Sequence, residues 1–119
     1  MSVNIPQLAN PKAVTTVLST ATAADIYTAS SSLRGILNSL SACNTSAASV
    51  NFSLAVMNGA SVVFQIYDEA PIAAHETLLV KDHEVPIFDG WSLRVQQDAA
   101  SEAIHVVAVI GEISSVKGA

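Results

Sequence analysis

One stretch of sequence, residues 50–67, constrains the fold more than any other. Between residues 50 and 57, large apolar side chains alternate with small or polar ones, so that a strand formed there would have one apolar face. The dipeptide Asn58-Gly59 follows and suits the positive φ angles of a tight turn, and residues 62–67 supply an apolar return strand. The stretch therefore predicts a β-hairpin whose buried face carries Val50, Phe52, Leu54 and Val56.

The remainder of the chain continues this pattern. Further segments rich in Val, Ile, Thr and aromatic residues lie at 14–19, 25–28, 32–43, 75–80, 85–88, 91–96 and 103–113, separated by turn residues. No segment keeps a helical period over three turns. Residues 13–119 are therefore predicted to form an all-β, single-domain antiparallel β-sandwich or jelly roll of about eight strands. The last segment is apolar on both faces, as expected of a central strand that is covered on both sides.

Three local features refine this prediction. Residues 1–12 contain two prolines and no period, which predicts an extended N-terminal arm; its apolar side chains are predicted interface residues, namely Val3, Ile5, Pro6 and Leu8. Trp91 follows the turn signal Asp89-Gly90 and either packs in the core or joins an interface. The mixed period of residues 32–43 is interpreted as a bulge near Gly35.

Charge is sparse and acidic. Charged residues make up 13% of the chain, compared with about 25% in an average protein, hydrophobic residues make up 50%, and the formal net charge is −5. The five basic residues are scattered, which argues against binding to nucleic acid or to an anionic membrane. The simplest interpretation is that an oligomer or a larger particle covers much of the surface; a neutral polar surface on a monomer is the alternative.

No motif indicates catalysis. Cys43 is the only cysteine, so no disulfide can form within the chain, and it is interpreted as a small buried side chain. His105 alternates with apolar residues and is interpreted as a partly buried strand residue, and residues 82–84 are interpreted as a solvated turn. The prediction is that the protein is not an enzyme and has no catalytic residue, cofactor or metal. Residues 1–7 do not resemble a signal peptide, which predicts synthesis in a cytoplasm.

Several short motifs, taken in order, resemble a family of small β-sandwich virion proteins of tailed bacteriophages, the head decoration or cement type among them. The motifs are Asp25-Ile26-Tyr27-Thr28, Cys43-Asn44-Thr45-Ser46, Pro71-Ile72 with Glu76-Thr77, Gly90-Trp91-Ser92-Leu93-Arg94-Val95 and Gly111-Glu112-Ile113. The similarity covers residues 18–114, about four-fifths of the chain; the N-terminal arm has no counterpart.

The resemblance implies a structural part of a phage particle, assembled in the host cytoplasm and located in the virion. The first hypothesis is a capsid decoration protein that stabilises the head, with the major capsid protein or other virion proteins as partners. A homo-oligomer is expected, with a trimer favoured. The alternatives are a tail, neck or baseplate component, or a carbohydrate-binding β-sandwich that recognises a host surface.

Overall fold

The structure is a computed structural model, and it describes residues 10–30, 33–81 and 85–114. Within those ranges all regular secondary structure is β. The strands are β1 (Asn10–Val17), β2 (Ala24–Thr28), β3 (Leu33–Asn44), β4 (Val50–Asn58), β5 (Ser61–Ile72), β6 (Thr77–Val80), β7 (Val85–Ile87), β8 (Trp91–Gln97) and β9 (Ile104–Ser114).

The strands form two antiparallel sheets packed as a β-sandwich. Sheet I has the order β1-β9-β3-β6, with the short β7 pairing with β3 on the same side as β6. Sheet II has the order β2-β8-β4-β5. The chain passes from one sheet to the other at every connection except the β4–β5 hairpin and the segment between β6 and β7. This alternation is that of a jelly roll, with β6 and β7 together in the place of one edge strand.

The core lies between the two sheets, and the alternation in β4 places it there. Phe52, Leu54 and Val56 are each 0% exposed, as the sequence predicted. They face Ile104 and Ile110 of β9 among other buried side chains of sheet I. Burial of a side chain of this size is worth about 1.5–3 kcal/mol relative to leaving it in water, so the facing apolar rows hold the two sheets together.

The irregularity in β3 lies at Asn38 and not near Gly35. The register of β3 with β9 shifts between Leu37 and Ser39. Leu37 and Leu40 both reach the core, at 0% and 1% exposure, and a regular strand cannot point residues three apart to the same side. One extra residue between them, Asn38, restores the alternation. The bulge therefore fixes which side chains of the second half of β3 face outward.

Both edges of sheet I carry proline, as edge strands tolerate. Pro11 lies in β1, which begins at Asn10 and so includes residues 10–12 of the predicted arm. Pro86 lies in the three-residue β7, which pairs with β3 at the other edge. Residues 1–9 lie outside the described residues, and with them the predicted interface residues Val3, Ile5, Pro6 and Leu8.

Candidate interaction surface

The outer face of sheet I is the most distinctive surface of the described part of the chain. Directly opposed residues of antiparallel strands share a face, so the registers assign its rows. One row runs across all four strand positions as Val17, His105, Cys43 and Thr77, and the next as Thr15, Val107, Ser41 and Leu79. We call these rows, together with Ala13, Val109 and Ser39, and with Pro11, Gly111, Ile36 and Pro86, the sheet I face.

The sheet I face is apolar and uncharged. None of its residues is Asp, Glu, Lys or Arg. Three large apolar side chains are well exposed on it: Leu79 at 59%, Val17 at 50% and Val107 at 39%. Charged residues of both signs lie at its rim, with Arg34 and Lys81 contributing positive charge and Glu102 negative charge. An apolar centre with a polar rim is the usual anatomy of a protein–protein interface.

The outer face of sheet II is different, because charged and amide side chains lie on it beside the exposed Val62, which is paired with Met57. Asp25 and Arg94 form an ion pair across β2 and β8, with 2.7 Å between Oδ1 and Nε. At one end of this face a depression of about 320 Å³ is lined by acidic and amide side chains, including Asp68, Glu69 and Asp98. Paired and solvated charges are stable in water, so the charged part of the sheet II face needs no covering layer.

The sequence predicted that β9 would be covered on both sides, and the described residues cover only one. The inward residues Ile104, Ala108 and Ile110 are each 0% exposed. The outward residues Val107 and Val109 belong to the sheet I face, and Val107 is 39% exposed although it lies on a central strand. A central strand that is apolar on its solvent side has the composition of a strand with a layer packed against it.

Cys43 lies on this face and not in the core, which corrects the prediction of a buried thiol. It is of intermediate exposure, and its neighbour Ala42 is the residue that is buried, at 0%. The bulge at Asn38 determines that Cys43 points outward and Ala42 inward. The bulge depends on tertiary packing that the local sequence does not reveal. A shallow groove of about 430 Å³ passes beside Cys43 and is also lined by Val17, His105 and Val107.

Cys43, His105 and Glu102 lie in a row, which raises the question of nucleophilic catalysis. Cys43 and His105 are opposed across β3 and β9, and His105 Nε2 lies 2.9 Å from Glu102 Oε2. A nucleophile also needs donors aimed at the developing oxyanion in a site that excludes water. Here the three residues lie on an open sheet face, and the backbone N–H groups around them are engaged in hydrogen bonds between strands. The described residues therefore form no water-excluding oxyanion site. In the described ranges, no group of three His, Cys, Asp or Glu residues is placed to hold a metal ion.

Trp91 is placed at the inner side of sheet II. Its ring packs edge-on against Phe88, with 4.8 Å between the ring centroids, and against the edge of the core. The guanidinium of Arg34 lies over the ring of Phe88, 5.6 Å from the ring centroid. The structure therefore places Trp91 in the packing arrangement that the sequence offered as one of two options, and apart from the sheet I face.

Tyr27 closes one end of the sandwich and has a perturbed pKa. Its hydroxyl donates a 2.8 Å hydrogen bond to Glu112 Oε2, and Lys12 Nζ lies 5.9 Å from its ring centroid. Burial, then the hydrogen bond to Glu112, then the negative charge of that carboxylate raise the pKa of Tyr27 well above its usual range. The neutral phenol is the form that the fold stabilises.

This shift predicts a loss of stability in alkali. Because the folded-state pKa of Tyr27 lies above the unfolded value of about 10, its contribution is complete below about pH 10 and is lost as the pH rises above that value. We expect the melting temperature to fall above pH 10, and to fall less steeply in Tyr27→Phe, measured by circular dichroism from pH 8 to 11. Tyr67→Phe, which removes the other tyrosine, is the control and should keep the wild-type slope. Equal slopes in all three proteins would contradict the assignment to Tyr27.

Comparisons with known proteins give a limited result. No protein-family model and no curated protein sequence matches the chain. Among solved structures, one from the Bacillus endospore appendages, described as "a novel family of disulfide-linked pili", aligns with a TM-score of 0.47 and 19% identity, covering 89% of this chain and 86% of that chain. In the described part of the chain, no helix has the length and apolar character needed to cross a membrane.

Proposed function

We propose that this protein is a structural component of a tailed-phage particle, and specifically a decoration protein that binds the outer surface of the head and stabilises the shell. Its role is assembly, and it catalyses no reaction. The partners are the major capsid protein or other virion proteins, together with further copies of this chain. The protein is made in the host cytoplasm and resides in the virion.

The observation that carries this proposal is the sheet I face. A monomer rarely exposes an apolar patch of more than a few hundred Å² unless the patch has a function. At about 3.4 Å per residue over six residue steps and about 4.8 Å per strand over four strands, the sheet I face has a flat footprint of about 400 Å². At about 25 cal/mol per Å², covering this area gains less than about 10 kcal/mol before the entropic cost of association, because polar side chains such as Ser39 and Ser41 occupy part of it. The motif resemblance then favours a phage particle as the assembly.

The described residues offer less support for the carbohydrate-binding alternative. Sugar recognition by stacking needs aromatic faces grouped on one surface. Phe64 and Phe88 are exposed at 42% and 39%, but they lie on β5 of sheet II and on the turn before β8. The guanidinium of Arg34 and the ring of Trp91 already pack against Phe88.

Copy number tests the location in the particle. Virions of the source phage are purified, and the chain is quantified against the major capsid protein by quantitative mass spectrometry. A decoration protein is expected at hundreds of copies per particle, because it follows the repeat of the capsid lattice. A few dozen copies or fewer would replace the head proposal with the tail, neck or baseplate, and absence from the particle would refute a virion role.

A further inference from the structure

We propose that a second copy of this chain covers the sheet I face, so that two sandwiches pack through this face around a twofold axis. This deepens the proposed function and rests on it, because it names what covers the apolar face in the assembled state. The occupant is identified from three properties of the described residues: where the charges lie, which side chains form the face, and how large the face is.

Charge is the first property, because it permits two copies to approach through the sheet I face. The chain has a formal net charge of −5, so two copies repel each other in most orientations. The acidic residues of the described part lie away from the centre of the sheet I face: Asp25, Asp68, Glu69, Glu76, Asp89, Asp98, Glu102 and Glu112. Glu112 is turned inward to Tyr27, and Glu102 lies at the rim beside His105. Among the described residues, no carboxylate belongs to the rows of the sheet I face, so two copies can meet there without opposing negative charges.

Shape is the second property. The face is a four-strand surface of small and medium side chains, in which Ser39, Ser41 and Ala13 alternate with Val107, Val109 and Val17. Two such surfaces interdigitate when sheets stack about 10 Å apart, as they do within a sandwich. Contact of one surface with the same surface on another copy is isologous and has twofold symmetry. The arrangement would add an external layer to β9, the central strand whose outer side no other described strand covers.

Size sets the expected strength. A footprint of about 400 Å² per copy is below the ~800 Å² per partner of a standard stable interface. The contact therefore has to extend to the rim, where Arg34, Lys81 and Glu102 supply charges of both signs. We expect a dimer of modest affinity that dissociates at micromolar concentration. A twofold contact gives pairs, whereas the sequence favoured a trimer, and the measured mass distinguishes the two.

The test is analytical ultracentrifugation of the purified full chain from about 1 to 200 µM. Wild type should approach twice the 12.3 kDa chain mass as concentration rises. Val107→Glu places a charge at the centre of the face and should weaken association at least tenfold. Leu79→Glu, on the edge strand of the same face and 59% exposed, should do the same and guards against a folding defect in the first variant. Val62→Glu is the matched control, because Val62 is 53% exposed on β5 of sheet II.

Cys43 provides a second readout on the same face. It is the only thiol in the chain, so its reaction with a maleimide reports on the face alone. In wild type the reaction should slow at least tenfold between the dilute and the concentrated sample. A wild-type protein that stays monomeric at 200 µM with an unchanged thiol rate, a mass of three chains, or dissociation by Val62→Glu but not by Val107→Glu would each overturn the pairing. None of these outcomes changes the copy number in virions, so the proposed function stands or fails separately.

Discussion

Replacing Asn44 with alanine should lower the free energy of unfolding by about 3 kcal/mol. Asn44 ends β3 and is 0% exposed. Its Nδ2 donates hydrogen bonds of 2.9 Å to the carbonyl oxygen of Ile72 and 2.8 Å to that of Ala48, and its Oδ1 accepts from the backbone N–H and the hydroxyl of Ser46. Alanine would leave the Ile72 carbonyl buried without this donor, and a buried polar group without a partner costs about 1–3 kcal/mol.

The effect should be measured by urea denaturation, with two comparison variants. Asn44→Asp keeps the acceptor but turns the donor into a second oxygen facing two carbonyl oxygens, so its loss should equal or exceed that of alanine. Asn58→Ala removes an exposed asparagine at the β4–β5 turn and should cost less than about 1 kcal/mol. A loss below 1 kcal/mol for Asn44→Ala would mean that this hydrogen-bond cluster does not anchor the end of β3.

Asn44 and its neighbour Thr45 join the turn after β3 to two other strands. The Cys43-Asn44-Thr45-Ser46 motif ends β3 and begins the turn that leads to β4. The structure adds that Asn44 connects this turn to the end of β5, while Thr45 connects it to the start of β9 by donating from both its backbone N–H and its hydroxyl to the Ala103 carbonyl oxygen. These partners are distant in sequence, so the local pattern predicts the turn but not what it joins.

The strands that the sequence predicted best are those with a strict alternation, and β4 is the clearest case. Edge strands were predicted less well, because they tolerate residues typical of loops. β5 continues to Ile72, through Asp68, Glu69 and Pro71, where the sequence predicted its end at residue 67. β6 begins at Thr77 and not at His75, because His75 adopts a φ of 61° in the turn before the strand.

The candidate surface was predicted only in outline. Composition indicated that some of the surface is covered, and the two apolar faces of β9 were visible in the sequence. Which face of the sandwich is apolar depends on the strand order and on the bulge at Asn38, and both are set by contacts between distant residues. One part of this surface is visible in the local sequence. Alternate residues of β1, which begins earlier than predicted, form an uncharged row: Pro11, Ala13, Thr15 and Val17.

Replacing Gly35 with alanine should also destabilise the protein by about 3 kcal/mol, although alanine is usually the better residue within a strand. Gly35 is buried in β3, and a Cβ there would lie 2.8 Å from both Cε2 and the hydroxyl oxygen of Tyr27, and 3.1 Å from Cγ2 of Ile110. The Tyr27 ring cannot move aside freely, because it is 5% exposed and its hydroxyl is bonded to Glu112. Overpacking of this kind costs about 1–3 kcal/mol, and loss of the Glu112 hydrogen bond adds to it.

Two further variants separate crowding from a general effect of removing glycine. Gly59→Ala is the control, because a Cβ there would meet nothing within 4 Å; its φ of 63° alone should cost about 1 kcal/mol. Tyr27→Phe removes the hydroxyl oxygen, one of the two close contacts on the ring, so Gly35→Ala should cost about 1 kcal/mol less in that background than in wild type. The five free energies of unfolding, those of wild type, the three single variants and the double variant, are measured in urea under one buffer condition. If Gly35→Ala is neutral or stabilising, the Tyr27 ring yields to the added methyl group, and the tight closure at this end of the sandwich is absent in solution.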